Sequence, residues 1–215
     1  MRQLIRLVKN AKVSARRRLG LDDHARLFDE VYSGNAWVSG SGPGSSAADT
    51  APYREFLKAF LADRQVKSVV DLGCGDWQFS GLIDWSGIDY TGVDVSKVAL
   101  ELAKSRAGLL VKFQHVNGVA DQLPSADLLV AKDVLQHWSN QDILQFLPRL
   151  TEYKYALLTN GFPPRHTRRL NANIVPGERA RPLDLAAAPF NVPGRIVFAY
   201  EGHEPKQVFL WERGT

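Results

Sequence analysis

Short apolar runs that end in turn residues alternate along the chain with stretches of helical periodicity. Rich in β-branched and aliphatic residues, these runs predict buried strands. The first ends at Val70, and the others span 89–93, 109–116, 126–131 and 155–159. Arg195–Tyr200 and Lys206–Glu212 predict a terminal hairpin. This alternation predicts an α/β fold: a doubly wound, mostly parallel seven-stranded sheet with an antiparallel C-terminal hairpin.

Helices are predicted between these strands from apolar spacing and from capping residues. An apolar stripe over residues 53–61 predicts a helix that faces the core. Ser96 is a suitable N-cap, Ser139–Asp142 has the pattern of a capping box, and a short helix is expected over 79–83. Ligands of such sheets bind over the carboxyl ends of the strands, so the residues that follow each strand are the functional candidates.

The segment Val69–Trp77 combines a strand end with a glycine-rich turn. Gly73 and Gly75 allow a sharp turn and leave main-chain N–H groups beside a ligand. Asp71, at the end of the strand, can accept hydrogen bonds from a cationic or amide-bearing ligand. Asp94 follows the second strand, where a carboxylate can accept both hydroxyls of a ribose. The unit therefore predicts a nucleoside site.

The residues after the turn indicate which nucleoside binds. A nicotinamide-binding turn has a third glycine, but Gln78 occupies that position, and Asp76 would repel a pyrophosphate while suiting a cationic ligand. Val69–Gly75 resembles the first motif, V-L-D-L-G-C-G-x-G, of class I S-adenosylmethionine-dependent methyltransferases, with Val70 in place of leucine and Trp77 in place of the final glycine. The resemblance implies a Rossmann-like fold, S-adenosyl-L-methionine as cofactor and methyl transfer.

The same resemblance implies the residues that contact the cofactor. The family's third strand ends in an acid that accepts the adenine amino group; Asn117 stands there, and Asp121 is the second candidate. The expected cofactor contacts are Trp37, Asp71, Gly73, Gly75, Trp77, Asp94, Val95, Asn117, Gly118 and Lys132. No spacing of histidine, cysteine and carboxylate residues calls for a metal.

Lys132–Trp138 resembles the family's fourth motif, in which a helix follows the fourth strand. Asp133 and His137 are four residues apart and would share one face of that helix. His137 titrates near neutrality and is the expected base for a hydroxyl acceptor, with Asp133 orienting it or acting as the base instead. The alternative for His137 is a structural histidine that bonds to the backbone.

Residues 27–49 combine a short amphipathic helix with a segment rich in glycine and serine around Trp37. This composition is typical of a flexible linker. An aromatic residue in such a loop can also belong to a lid that excludes water from a cofactor. A resemblance to a smaller set of bacterial class I methyltransferases favours the lid, with Trp37 as its contact.

Residues 162–194 are rich in proline and arginine and lack a helical period. A long irregular segment beside a strand end is usually functional, and part of it, 171–190, resembles the same bacterial set. We expect it to wall the acceptor pocket, with Arg165 and Arg181 binding an anionic group. Solvated surface arginines are the alternative.

Composition and charge limit the organisation of the 215 residues. The length suits one domain, 27–215, preceded by a basic arm, 1–26, whose first 20 residues hold seven basic residues and no acidic one. The arm is either a weak membrane-surface or nucleic-acid contact or a solvated helix, and no nucleic-acid groove extends it. A single cysteine, Cys74, and the lack of a membrane-length apolar run or signal-peptide pattern lead us to expect a cytoplasmic protein.

We therefore predict S-adenosylmethionine-dependent methyl transfer to a small molecule or glycan, at an oxygen atom. The alternatives are a non-catalytic S-adenosylmethionine-binding protein, an N-methyltransferase, and a nicotinamide enzyme, against which Gln78 and Asp76 argue.

Overall fold

A computed structural model describes residues 24–108, 110–163, 170–177 and 179–214. Most of the predicted basic arm, and Arg165, therefore lie outside the described residues. The described α-helices are α1 (His24–Ser33), α2 (Ala51–Asp63), α3 (Lys97–Arg106) and α4 (Asn140–Phe146). The described strands are β1 (Ser68–Leu72), β2 (Asp89–Asp94), β3 (Lys112–His115), β4 (Leu128–Lys132), β5 (Tyr155–Gly161), β6 (Arg195–Glu201) and β7 (Pro205–Glu212).

The strands form one sheet in the order β3-β2-β1-β4-β5-β7-β6. Neighbouring strands from β3 to β5 pair in parallel, whereas β7 runs antiparallel to both β5 and β6. The predicted fold class is confirmed. The order places the carboxyl ends of β1, β2, β4 and β5 along one edge, which is where such sheets bind ligands.

The central strands are buried on both faces, which explains their continuous apolar sequence. Val70 and Leu129 face a cluster that contains Phe146 of α4, whereas alternate residues such as Val69 and Leu128 face a second cluster that contains the apolar stripe of α2. The stripe predicted over residues 53–61 thus packs on the sheet. Two apolar layers hold the strand ends in a fixed position.

The segment after β1 differs from the prediction. The helix expected over 79–83 is reduced to one 3₁₀ turn, Ser80–Leu82. The hydroxyl of Ser80 donates to Asp71, and the Ser80 carbonyl accepts the indole N–H of Trp85, at 2.6 and 2.8 Å. These bonds compete with a longer helix for the groups of the turn.

The segment after β4 also differs from the prediction. Asp133 has a φ of 61°, and only the 3₁₀ turn Leu135–His137 follows it. Gln136 bonds through its N–H to the side chain of Asn160 and through its side chain to the N–H of Gly161. The expectation that Asp133 and His137 share a helix face is therefore wrong. Gln136, which would continue the helix, instead bonds to Asn160 and Gly161 of β5.

The irregular segment after β5 is packed rather than loose in its described parts. The side-chain amide of Asn171 donates to the carbonyls of Asp184 and Ala188, at 2.7 and 2.9 Å. Leu183 and Phe190 join the core cluster on the α4 face. Among the residues that the structure describes, no helix has the length and apolar character needed to cross a membrane.

The capping box of α4 supplies a test of local stability. The Ser139 hydroxyl accepts the N–H of Asp142 at 3.1 Å, and the Asp142 carboxylate accepts the N–H of Ser139 at 3.2 Å. We expect Ser139→Ala to lower the free energy of unfolding by about 1 kcal/mol, measured by urea denaturation. The control is Ser105→Ala, at an exposed hydroxyl near the end of α3. Equal stability of the two variants would contradict the role of the cap.

Candidate active site

A cavity of about 360 Å³ opens at the carboxyl edge of the sheet. It lies between the ends of β1, β2 and β4, the start of β7, helix α1 and the loop 34–46. Among its lining residues are Phe28, Tyr32, Trp37, Ser41, Gly73, Cys74, Gln78, Phe79, Asp94, Lys132, Asp133, Gln136, His137, Trp138, His203, Glu204 and Lys206.

Asp94 lines this cavity at the end of β2. Its carboxylate accepts the N–H of Gly75 at 2.9 Å and the N–H of Ser96 at 2.8 Å. Burial raises its pKa to about 6, even though these main-chain donors oppose the shift. Each carboxylate oxygen retains a second lone pair, so the group fits the two hydroxyls of a ribose.

Asp71 and Trp77 lie beneath the glycine turn and do not line the cavity. Asp71 accepts the hydroxyls of Ser80 and Tyr90, both at 2.6 Å, and burial raises its pKa to about 6. The Trp77 ring lies edge-on to Phe113, with 5.7 Å between the ring centroids, and joins the cluster on the α2 face. Both residues were predicted to contact the cofactor, but in this structure they support the glycine turn on the side away from the cavity.

The loop 34–46 is latched to the glycine turn. The Ser41 hydroxyl donates to the Asp76 carboxylate at 2.5 Å and accepts the Asp76 N–H at 3.1 Å. Asp76 is buried and also pairs with Arg106 at 2.7 Å. A Cβ at Gly75 would lie 2.3 Å from the Ser41 hydroxyl, so the loop approaches closely only because that residue is glycine. The space beside Gly73, by contrast, holds the side chain of Val134.

Aromatic rings form the wall between α1 and the β4 exit. The Trp37 ring lies 5.4 Å from the imidazole of His137 and 5.6 Å from the ring of Tyr32, between centroids. Phe28 meets His137 edge-on at 6.2 Å. The structure thus places Trp37 in the cavity wall, where the loop covers the site.

Asp133 lies between two buried lysines. Its two carboxylate oxygens each accept a hydrogen bond of 2.5 Å, one from Lys132 and one from Lys206. Burial alone would raise the pKa of Asp133, but the two ammonium groups outweigh it and hold this pKa below its usual range. Asp133 is therefore a weak base and a strong anchor for the lysines.

His137 is buried and lines the cavity. Its Nδ1 lies 2.9 Å from the carbonyl oxygen of Gly177. A carbonyl only accepts, so Nδ1 carries the proton and Nε2 is the basic nitrogen. Burial lowers the pKa of His137, which keeps the ring neutral near pH 7. The backbone of Gly177, rather than Asp133 as we expected, orients the imidazole.

Three predicted cofactor contacts, Val95, Asn117 and Gly118, lie outside the cavity wall. The side-chain oxygen of Asn117 accepts the N–H groups of Val119 and Ala120, at 3.0 and 3.2 Å, and thereby closes a turn. The Val95 carbonyl bonds to a ring nitrogen of His115 at 2.9 Å. A Cβ at Gly118 would come within 2.7 Å of Leu72, so this glycine permits close packing.

Arg181 has a structural position. Its guanidinium donates to the carbonyl of Trp138 at 2.5 Å and to the side-chain oxygen of Asn140 at 2.6 Å. Burial lowers its pKa to about 10, and it does not line the cavity. The position does not support the expected contact with an acceptor, because the guanidinium is used to hold the residues between β4 and α4.

Sequence reasoning missed several residues of the wall. Ser41, Gln136, Glu204 and Lys206 line the cavity, but none of them is among the site residues predicted from the sequence. Lys206 offered one usable signal: a lysine two residues before the apolar run Val208–Trp211 of a buried strand needs a partner. Within the described parts of the chain, no group of three or more histidine, cysteine or carboxylate residues is arranged to hold a metal ion.

Part of the chain is similar in sequence to a known protein family. Residues 69–153 match a family model described as a methyltransferase domain. No protein with curated annotation matches the chain in sequence.

Solved structures share the fold at low identity. Magnesium protoporphyrin IX methyltransferase of Synechocystis PCC 6803, with bound SAM, has a TM-score of 0.63 at 17% identity, covering 90% of this chain and 98% of that one. Human N-acetylserotonin methyltransferase, in complex with SAM, has a TM-score of 0.55 at 16% identity, covering 95% and 66%. The methyltransferase domain of bacterial CtHen1-C has a TM-score of 0.59 at 19% identity, covering 76% and 97%.

The matched region spans β1 to α4, which includes the glycine turn, Asp94 and the β4 exit. This part of the chain is therefore similar to a methyltransferase domain, and the whole chain has the fold of S-adenosylmethionine-dependent methyltransferases of known structure.

The position of Asp94 predicts a cofactor contact. Asp94→Ala should weaken S-adenosylhomocysteine binding by about 1.5–3 kcal/mol, since hydrogen bonds to a charged group are lost. Isothermal titration calorimetry measures this, with Asp89→Ala on the exposed end of β2 as the control. Because the pKa of Asp94 is raised to about 6, wild-type affinity should fall as the pH drops through 6. Unchanged affinity in Asp94→Ala would exclude the ribose contact.

The latch predicts a change in protease sensitivity. Ser41→Ala removes the bonds to Asp76, so proteolysis within 37–44 should become faster, measured by mass spectrometry of limited digests. Ser45→Ala is the matched control, because its hydroxyl makes only a long bond of 3.4 Å to the Ser41 carbonyl. Identical cleavage rates in both variants would show that the latch does not hold the loop.

Proposed function

We propose that this protein is an S-adenosylmethionine-dependent methyltransferase that acts on an oxygen atom of a small molecule or glycan, with His137 as the general base. The observation that carries the proposal is a buried imidazole in the cavity wall, whose Nδ1 lies 2.9 Å from the Gly177 carbonyl oxygen and whose pKa is lowered by burial. A hydroxyl acceptor must lose its proton, and a nitrogen with a pKa at or below neutrality is suited to take it.

Different residues of the cavity are suited to binding the cofactor, to deprotonating the acceptor and to excluding water. S-adenosylmethionine supplies a methyl group that its sulfonium already activates, so the protein mainly positions and deprotonates the acceptor. Asp94 and the glycine turn support cofactor binding at one end, by the position of the carboxylate and of the Gly75 amide. The rings of Phe28 and Trp37 cover His137, which supports a site that excludes water.

Asp133 is better suited to positioning than to proton transfer. Its pKa is lowered by Lys132 and Lys206, so it would hold an acceptor's proton poorly. Its φ of 61° is uncommon for a residue other than glycine, and such strain collects at functional sites. We therefore assign the base to His137 and the anchoring of the lysines to Asp133.

The cavity volume supports a small acceptor. The cavity of about 360 Å³ has to hold the cofactor as well as the acceptor, and α1 with the loop 34–46 restricts access to it. Two of the similar structures are methyltransferases named for small molecules, magnesium protoporphyrin IX and N-acetylserotonin. The acceptor can be sought by transfer of a tritiated methyl group to fractionated metabolites and glycans.

The base role predicts a pH-dependent loss of turnover. His137→Ala should lower kcat by about 10²–10⁴-fold, with S-adenosylhomocysteine affinity nearly unchanged. In the wild type, kcat at saturating cofactor should fall as the pH drops through a pKa below 6.5, because the imidazole becomes protonated. The acid limb should disappear in His137→Ala.

His203→Ala is the control for this measurement, since His203 is a second histidine of the cavity wall. Normal turnover of His137→Ala with an oxygen product would contradict the base role. Methylation of a nitrogen acceptor would identify an N-methyltransferase, and binding without transfer to any fraction would identify a non-catalytic cofactor-binding protein.

A further inference from the structure

Two buried ammonium groups lie in the wall of the cavity, close to the β4 exit. The side chains of Lys132 and Lys206 are exposed by only 1% and 3%. Lys132 is the last residue of β4 and Lys206 the second residue of β7, and both strands flank β5 at this edge. A lysine is buried this completely only with compensating negative charge.

The two carboxylates that compensate these lysines are held very differently. Asp133 contacts both lysines, its side chain is 18% exposed, and its N–H donates to the carbonyl of Thr159 at 2.8 Å. Glu204 pairs with Lys206 at 2.6 Å, but its side chain is 42% exposed and belongs to the connection between β6 and β7. Asp133 is therefore fixed, whereas Glu204 can turn towards solvent.

Removal of Glu204 from this cluster changes the charge that the cavity presents. With Glu204 in place, two ammonium groups face two carboxylates. With Glu204 turned outward, Lys132, Asp133 and Lys206 carry one net positive charge beside the cavity. Asp133 then balances only one of the two buried ammonium charges, which is unfavourable, so an anion that enters the cavity can replace the Glu204 carboxylate on Lys206.

We propose that Lys206 binds an oxyanion, a carboxylate or a phosphate, of the methyl acceptor, and that Glu204 occupies the place of this group until the acceptor binds. The inference rests on the proposed function, because it assigns the acceptor to the same cavity. It makes Lys206 the residue that selects acidic acceptors. Arg181 does not serve this purpose, since its guanidinium bonds to the protein outside the cavity.

The experiment titrates two probes, inorganic phosphate and acetate, into the full-length protein saturated with S-adenosylhomocysteine. Binding is followed at constant ionic strength by NMR chemical shifts of the tryptophan indole groups, two of which, Trp37 and Trp138, line the cavity. The wild type should bind at least one probe saturably at millimolar concentration. The probe that binds more tightly indicates the class of oxyanion.

Three variants separate the contributions to anion binding. Lys206→Met should weaken anion binding at least tenfold, and Lys206→Arg should restore it. Glu204→Gln should strengthen anion binding about threefold to tenfold, because the competing carboxylate is lost. Lys112→Met, at an exposed lysine that pairs with Asp89 on β2 and β3, is the control and should bind like the wild type.

S-adenosylhomocysteine affinity, measured on the same samples, reports the fold and the cofactor site independently. Anion binding that persists in Lys206→Met, or an unchanged affinity in Glu204→Gln, would overturn the assignment while the protein remains a methyltransferase. Loss of S-adenosylhomocysteine binding in the wild type would instead contradict the proposed function itself.

Discussion

The carboxylate of Asp133 holds together the cavity wall that contains Lys132 and Lys206. It allows Lys132 and Lys206 to be buried, because an ammonium group without a counter-charge would be strongly unfavourable there. Lys132 also donates to the Gly44 carbonyl at 2.8 Å, which ties the loop 34–46 to the same charge. Asp133, a residue with a strained backbone, thus fixes the end of β4, the start of β7 and the loop 34–46 that covers the cavity.

The fold could be read from the sequence where local pattern and tertiary packing agree. Apolar runs, the stripe of α2 and the capping box at Ser139 depend on neighbours in the chain, and the structure contains each of them. The helix over 79–83 could not be excluded in this way. Bonds of Ser80 to Asp71 and Trp85 end it, and their effect depends on packing that no periodicity reports.

The site was predictable where a residue's position follows from the end of a predicted strand. Asp94 follows a strand whose end the sequence locates, so its position in the cavity follows from topology. Arg181 and Lys206 show the limit of this reasoning. Which cation faces the cavity depends on distant partners: the Trp138 carbonyl holds Arg181, whereas the pairing of β7 with β5 brings Lys206 to Asp133. Composition identifies a basic segment but not the direction of its side chains.

The cover of the cavity joins its two ends. Ser41 bonds to Asp76 beside the glycine turn, and Gly44 bonds to Lys132 beside the β4 exit, so one short loop contacts both of these parts of the cavity wall. Hydrogen bonds of this kind contribute about 1 kcal/mol each, which a ligand can readily offset.

Val38, in the same loop, is β-branched, exposed and at a φ of 72°, a conformation that costs energy. The bonds of Ser41 to Asp76 and of Gly44 to Lys132 therefore hold the loop over the cavity against local strain.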